Sequence, residues 1–335
     1  MKKALSVLCA LCGLLCFAGC AGNIEIEREL IVEAVGVDKT GDGILLTVQA
    51  LNAQTHAGGN QDTGENGVTA VFSARGKTVS EAAAALTLTT GKQPVFSQNR
   101  IILLGNSALR DGDVIPLLDM FLRSYQLRSD SYLAAAPSAE EIVRVRADSG
   151  SIPAVRLQQI IETGAKAAAC VPVRLYEFYN MYEDGTVGSM PVFHLNADRQ
   201  PELSGEAVFR RGVRVGFLDA EESRILSLLT EKAHDGAITA EFENRLYSFR
   251  ILSAKPRLRR SGTILTVRCL CDTAEIIGAG GVGAAQAQPA AEAAEKMLRE
   301  KALALLEKLR GYGAFRPGLA PGDPSDVAFE IRLKR

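Results

Sequence analysis

The chain lacks most of the features that announce an activity. It has three histidines, His56, His194 and His234, set far apart in unrelated surroundings. It has no H-E-x-x-H, no nucleophile elbow and no P-loop. No catalytic residue, metal or cofactor is therefore expected. Charge of one sign is missing too: 38 basic side chains face 39 acidic ones. Nucleic-acid binding wants a strongly basic face, so that class is excluded. A polybasic membrane patch is excluded on the same ground. Cysteine is scarce beyond residue 20, where only Cys170, Cys269 and Cys271 remain. An odd, sparse set does not make a disulfide scaffold. Nor is the one long apolar run, Ala4 to Phe17, long enough to span a bilayer, which needs about 20 residues.

That run nevertheless governs how the rest is read. Lys2 and Lys3 precede it, and Phe17-Ala18-Gly19 places small residues just before Cys20. This is the layout of a secretory signal, and a Cys directly after Ala-Gly makes it look like a bacterial lipoprotein signal. Residues 1–19 are expected to be removed, and the Cys20 sulfur to carry a diacylglycerol, a role suited to a nucleophilic thiolate. Two acyl chains suffice for stable attachment. The remaining chain, Cys20 to Arg335, carries a net charge of about −3 and is long enough for two or three domains.

Hydrophobic periodicity and turn chemistry divide that chain into elements. Ile31 to Asp38 and Ile44 to Leu51 read as a hairpin about Lys39-Thr40-Gly41-Asp42-Gly43. Gln54 to Gly67 is a polar excursion. Val68 to Arg75 is a strand, and Thr78 with Glu81 three residues later opens a helix that Gly91 stops. Arg100 to Gly105 is a continuous apolar strand of the kind buried on both faces. A helix over Asp111–Ser124, a strand over Ser131–Ala136 and a helix from Ser138 to about Val145 follow. Helices over Ala154–Gly164 and Val173–Tyr182 and a strand over Met190–Leu195 complete the first half. The polar stretch Asn196 to Glu202 marks a boundary, giving domains 20–200 and 201–335. The second half opens with a hairpin over Leu203–Leu218, then a helix Ala220–Thr230 capped by Asp219. Strands over Ala237–Glu243, Leu246–Ala254 and Thr263–Asp272 form an antiparallel meander. A helix over Pro289–Arg310 has Leu298, Ala302, Leu305 and Leu309 on one stripe, with Glu292/Lys296 and Glu295/Arg299 as outer i,i+4 pairs. A strand closes the chain over Val327–Leu333. The fold class expected is α+β: mixed sheets with packed helices, an α/β-like N-terminal part, and a C-terminal antiparallel meander with a long helix.

A few residues stand out chemically. Gly278 to Gly283 fits G-x-G-x-x-G, but Ala284 to Gln288 separates it from the helix, so it reads as a connector rather than a dinucleotide fingerprint. Cys269 and Cys271 lie two apart in a strand and share a face; two small buried hydrophobes is the preferred reading over a redox or metal pair. Arg123, Arg128 and Asp130 follow an apolar helix. They are placed either to meet an anion or a partner's acidic patch, or to form a local ion-pair network. Tyr176 and Tyr179 belong to an aromatic stripe that is more often core or interface than a ligand box.

The succession of stretches resembles the C-subunit lipoproteins of bacterial spore germinant receptors, the Ger(x)C type. The stretches are Gly36-Val37-Asp38-Lys39, Asp119 through Arg123 to Arg128 with Asp130-Ser131-Tyr132, and Gly205-Glu206-Ala207-Val208-Phe209 followed by Gly216-Phe217-Leu218 and Glu222. The resemblance spans nearly the whole chain in order. It implies a non-enzymatic subunit, lipid-anchored to the outer face of the spore inner membrane, that works with integral membrane A and B subunits to sense nutrients and trigger germination. Arg123, Arg128, Asp130, Tyr176 and Tyr179 are then candidates for the partner interface. The competing reading is an extracytoplasmic solute-binding lipoprotein, against which the antiparallel second half speaks. An envelope hydrolase would need a nucleophile and base that the sequence does not show.

Overall fold

The computed structural model describes residues 28–41, 43–51, 68–110, 112–123, 130–146, 151–258, 264–277, 287–313 and 326–334. The signal stretch, Cys20, His56, the excursion at Gln54–Gly67, Arg128 and the glycine run Gly278–Gly283 lie outside them.

The first half is built on β1 (Glu29–Thr40), β2 (Gly43–Leu51) and β3 (Thr69–Gly76), an antiparallel set. Then come α1 (Val79–Thr90), a short β4 (Gln93–Val95), β5 (Ile101–Gly105), α2 (Asn106–Arg110), α3 (Ile115–Arg123) and β6 (Tyr132–Ala136). The helices α4 (Ala139–Val143), α5 (Pro153–Lys166) and α6 (Leu175–Glu183) lead to β7 (Val187–Leu195), β8 (Pro201–Arg210) and β9 (Val213–Asp219). One sheet holds them all in the order β3-β2-β1-β5-β6-β7-β8-β9, with β4 beside β1. β1, β5, β6 and β7 run parallel at its centre, and antiparallel strands close both edges. Alternation sends Val35, Val37, Ile102, Leu104, Leu133 and Ala135 to one face, against α1, α3 and α6. Ala34, Ile101, Leu103, Ala134 and Ala136 go to the other, against α4 and α5. Covered on both sides, β5 and β6 are buried at every position, which explains their unbroken apolar sequence.

Helix caps form where the sequence places them. Thr78 Oγ1 accepts from Glu81 N at 3.1 Å, and Gly91 ends α1 in the left-handed region at φ 67°. Ser138 Oγ accepts from Glu141 N at 3.2 Å. α4 has a second cap that no local pattern shows. Asp38, at the end of β1, accepts from Ala139 N at 3.2 Å and Glu140 N at 2.8 Å. Its charge therefore sits at the positive end of a helix about a hundred residues away. A side chain at Gly105 would overlap Asp38 Oδ1, so this corner needs glycine.

One expectation is corrected here. The helix expected over Asp111–Ser124 starts later: α3 begins at Ile115. The segment before it turns to meet the β8–β9 turn, with Val114 N donating to Gly212 O at 3.0 Å and Asp113 Oδ1 accepting from Ile115 N at 2.9 Å. The polar stretch before Pro201 is the tight β7–β8 turn, in which Asn196 Oδ1 accepts from Asp198 N and Gln200 N, and the large sheet runs on through β8 and β9.

The second half adds α7 (Ala220–Thr230), β10 (Ala237–Phe242), β11 (Arg245–Leu258), β12 (Ile264–Ile277), α8 (Ala287–Tyr312) and β13 (Asp326–Leu333). Asp219 caps α7 with a full capping box: Glu221 N and Glu222 N donate to Oδ1 at 2.9 and 2.8 Å, and Asp219 N returns to Glu222 Oε2 at 3.1 Å. The second sheet has the order β10-β11-β12-β13. β10, β11 and β12 are antiparallel as expected, but β13 pairs parallel to β12. The reason is α8, which carries the chain back so that β13 starts at the same end as β12. Leu298, Ala302, Leu305 and Leu309 of α8 are buried, and Ala290, Ala291 and Ala294 extend that face. Glu295 and Arg299 are not an outer pair. Both turn to β13, where Glu295 accepts from Ile331 N at 2.5 Å and Arg299 meets Asp326 at 2.9 Å. α7 and α8 share one apolar core with Val187, Val208 and Leu218 of the large sheet and the inner face of the small one, so the two sheets are joined through helices.

Candidate functional site

The site is assembled at the end of the large sheet where the parallel strands begin. α3 ends there, 130–132 enters β6, and the stretch before α6 pairs with it: Leu133 N donates to Val173 O and Leu175 N to Ser131 O, both at 2.9 Å. α6 is thereby held beside α3. Its apolar side, Leu175 and Phe178, is buried, and Phe178 meets Phe209 of β8 edge-on at 5.3 Å. The tyrosines are left on the outer side.

Arg123 is exposed at the end of α3, and its Nε donates to both oxygens of Asp119 at 2.8 Å. That hydrogen bond holds the guanidinium above its ordinary pKa, and Tyr179 of α6 stands close enough to add to the effect. Tyr179 stacks on Tyr182 with centroids 6.1 Å apart. Tyr176 is 42% exposed and donates to Glu177 Oε1 at 3.1 Å. The phenols of Tyr176 and Tyr179 are both pushed up, first by hydrogen bonds to Glu177 and Glu183 respectively. Both stay neutral donors at ordinary pH.

Asp130 joins this surface through a residue the sequence reading passed over, Arg174. Arg174 Nη1 donates to Asp130 O at 2.6 Å and lies 3.8 Å from its carboxylate. Nη2 donates to Tyr132 Oη at 3.0 Å, and the guanidinium sits 4.4 Å over the Tyr132 ring. The same residue begins α6, with its N–H donating to Glu177 Oε2 at 2.8 Å. Polar contacts continue inward from Tyr132 through Glu162 and Gln158 to Arg100, whose Nε meets buried Glu33 at 2.6 Å. Burial raises the Tyr132 phenol and Arg174 lowers it in part. The structure thus brings Arg123 to Tyr179, and Asp130 to Tyr176 by way of Arg174 and Glu177, on one face. Only the partners' distance in sequence, 44 residues from Asp130 to Arg174, hid the link.

Elsewhere the chemistry is quiet. Cys170, Cys269 and Cys271 are free and buried. Burial pushes the Cys269 thiol up to about 12 and Cys271 up to about 11, so both behave as small core residues. His194 Nδ1 lies 3.2 Å from Glu202 O, and the His234 backbone N donates to Lys166 O. Among the described residues no three metal-ligating side chains are grouped, and no helix is long and apolar enough to cross a membrane. What the surface offers is arginine and tyrosine, side chains enriched in protein–protein contacts, held in place by carboxylates.

Comparison with known proteins places the chain among spore germination proteins. A family model described as the spore germination protein N-terminal domain matches residues 22–195. The chain is 25% identical over 254 residues to spore germination protein B3 of Bacillus subtilis (strain 168), covering 73% of this chain and 66% of that protein. It is 22% identical over 213 residues to spore germination protein KC of the same organism, covering 62% and 52%. The matched regions thus span between half and two thirds of these relatives. A crystal structure of the GerBC protein aligns over 92% of this chain and 99% of its own, at 19% identity and a TM-score of 0.49. The chain belongs to the Ger(x)C family of spore germination proteins.

Proposed function

We propose that the chain is a membrane-tethered subunit of a spore nutrient germinant receptor. It is anchored by a diacylglycerol on Cys20 to the outer face of the spore inner membrane. It acts by contact with integral membrane A and B subunits, not by catalysis. The observation that carries this reading is the face formed by exposed Arg123 and Tyr176 with half-buried Tyr179, on a domain of the germination family. Geometry supports its placement. β1 starts at Glu29, nine residues beyond Cys20, and that tether reaches at most about 30 Å. The amino-terminal end of the parallel strands, where Arg100, Asp130 and Arg174 lie, is therefore kept near the bilayer. Residues 20–200 and 201–335 are its two sequence units, the first carrying this face. In spores, the Tyr176→Ala/Tyr179→Ala variant is expected to abolish the nutrient response while the protein's amount and far-UV circular dichroism stay unchanged. A normal response from that variant would remove this face from the mechanism.

A further inference from the structure

Three carboxylates are buried among the described residues. Glu33 meets Arg100 and Asp38 caps α4. Glu206 of β8, wholly buried, meets no cation among them. Its Oε1 accepts from Val171 N at 2.6 Å and lies 3.0 Å from Ser223 Oγ of α7. Ser189 Oγ of β7 stands close enough to favour the charged carboxylate, but neither it nor Glu206 Oε2 makes a well-formed hydrogen bond. An unpaired buried oxygen of this kind is costly when charged.

The surroundings make that charge matter at a distance. Ser223 Oγ has one proton and two acceptors at 3.0 Å, Glu206 Oε1 and Ala169 O. With Glu206 neutral, the carboxyl brings a proton of its own, and Ser223 can bond Ala169 O. With Glu206 ionised, the carboxylate takes the Ser223 proton and Ala169 O loses its donor. Ala169 belongs to the strap 166–171, which leaves α5 with Ala168 at φ 55°. The strap's Lys166 O accepts from His234 N and Asp235 N at 3.1 Å, just before β10 of the second sheet, and Gly236 packs against Ala167 O too closely for any side chain. The titratable groups facing Glu206 are Glu231 at the end of α7 and Cys170 on the strap; β7 offers only neutral Ser189.

We propose that Glu206 is a proton-operated latch between the two sheets: neutral, it leaves Ser223 to hold Ala169 of the strap to α7; ionised, it keeps Val171 N, draws the Ser223 proton from Ala169 O, and frees residues 166–169 and the seat of β10. Burial pushes this carboxyl up to about 7 from 4.5, and the like charge of Glu231 adds to that, against the hydrogen bonds. An opened strap lets water reach the group and returns it to its ordinary range. Opening therefore releases a proton between about pH 4.5 and 7. The closed form is most favoured below that window, loses its advantage as pH rises through it, and levels off above.

The test is hydrogen exchange of the full chain in detergent, corrected for the intrinsic pH dependence of exchange. Opening of 166–169 and α7 should rise on the order of 10–100-fold between pH 5 and 8. Glu206→Gln, which keeps the shape and an acceptor, should abolish the rise. Glu231→Gln, which leaves the latch in place, should move the midpoint to lower pH. A flat wild type, a Glu206→Gln variant as pH-dependent as wild type, or an unmoved midpoint in Glu231→Gln would each overturn the latch.

Discussion

Replacing Arg174 isolates the contact on which the candidate surface depends. Arg174→Ala removes two charge-assisted hydrogen bonds, to Asp130 O at 2.6 Å and Tyr132 Oη at 3.0 Å, and the guanidinium over the Tyr132 ring. Bonds to a charged donor are worth about 1.5–3 kcal/mol each, and an exposed cation–π contact about 0.5–1 kcal/mol. The Arg174 side chain is 32% exposed and Asp130 44%, so water replaces part of what is lost and the Asp130 carboxylate contact adds little. Tyr132 Oη also keeps Glu162 at 3.3 Å. The net loss expected is about 2 kcal/mol. Arg174→Lys retains the charge but not the planar fork, so it recovers about half. The chain has no tryptophan, so urea unfolding is best followed by far-UV circular dichroism. An Arg174→Ala loss below about 0.5 kcal/mol, or a Lys variant as stable as wild type, would refute the claim that the fork holds this corner.

Three further outcomes follow from the core and the caps. Asp38→Ala strips α4 of two hydrogen bonds to a buried carboxylate and should cost about 2–3 kcal/mol in urea unfolding. Gly105→Ala crowds the same carboxylate and should cost about 1–3 kcal/mol, and the double variant with Asp38→Ala should lose less than the sum, as a double-mutant cycle will show. Leu298→Ala, in the shared core beneath α8, should cost about 2–5 kcal/mol, read from the same unfolding curves.

Local rules carried much of this fold into the sequence. The caps at Thr78, Ser138 and Asp219 and the buried runs of β5 and β6 depend on neighbours within a few residues, and each forms as read. What was not legible depends on partners far along the chain. The direction of β13 is set by where α8 delivers it, and an alternating strand reads the same either way round. The late start of α3 is imposed by the β8–β9 turn, about a hundred residues on. Arg174 carries no local signal, because Asp130 and Tyr132 reach it only through the pairing of 131–133 with 173–175. Glu206 lies on a strand whose neighbours Ala207, Val208 and Phe209 are all buried, and only the fold shows that α7 and the strap close over it.

This chain is proposed to work inside a membrane receptor complex. The most direct measurement is to tag the C-terminus, solubilise spore membranes in mild detergent and identify what co-purifies. Two multi-span germinant-receptor subunits in comparable amounts are the predicted result. A chain recovered alone, or with a transporter permease, would contradict the receptor reading and favour a solute-binding lipoprotein.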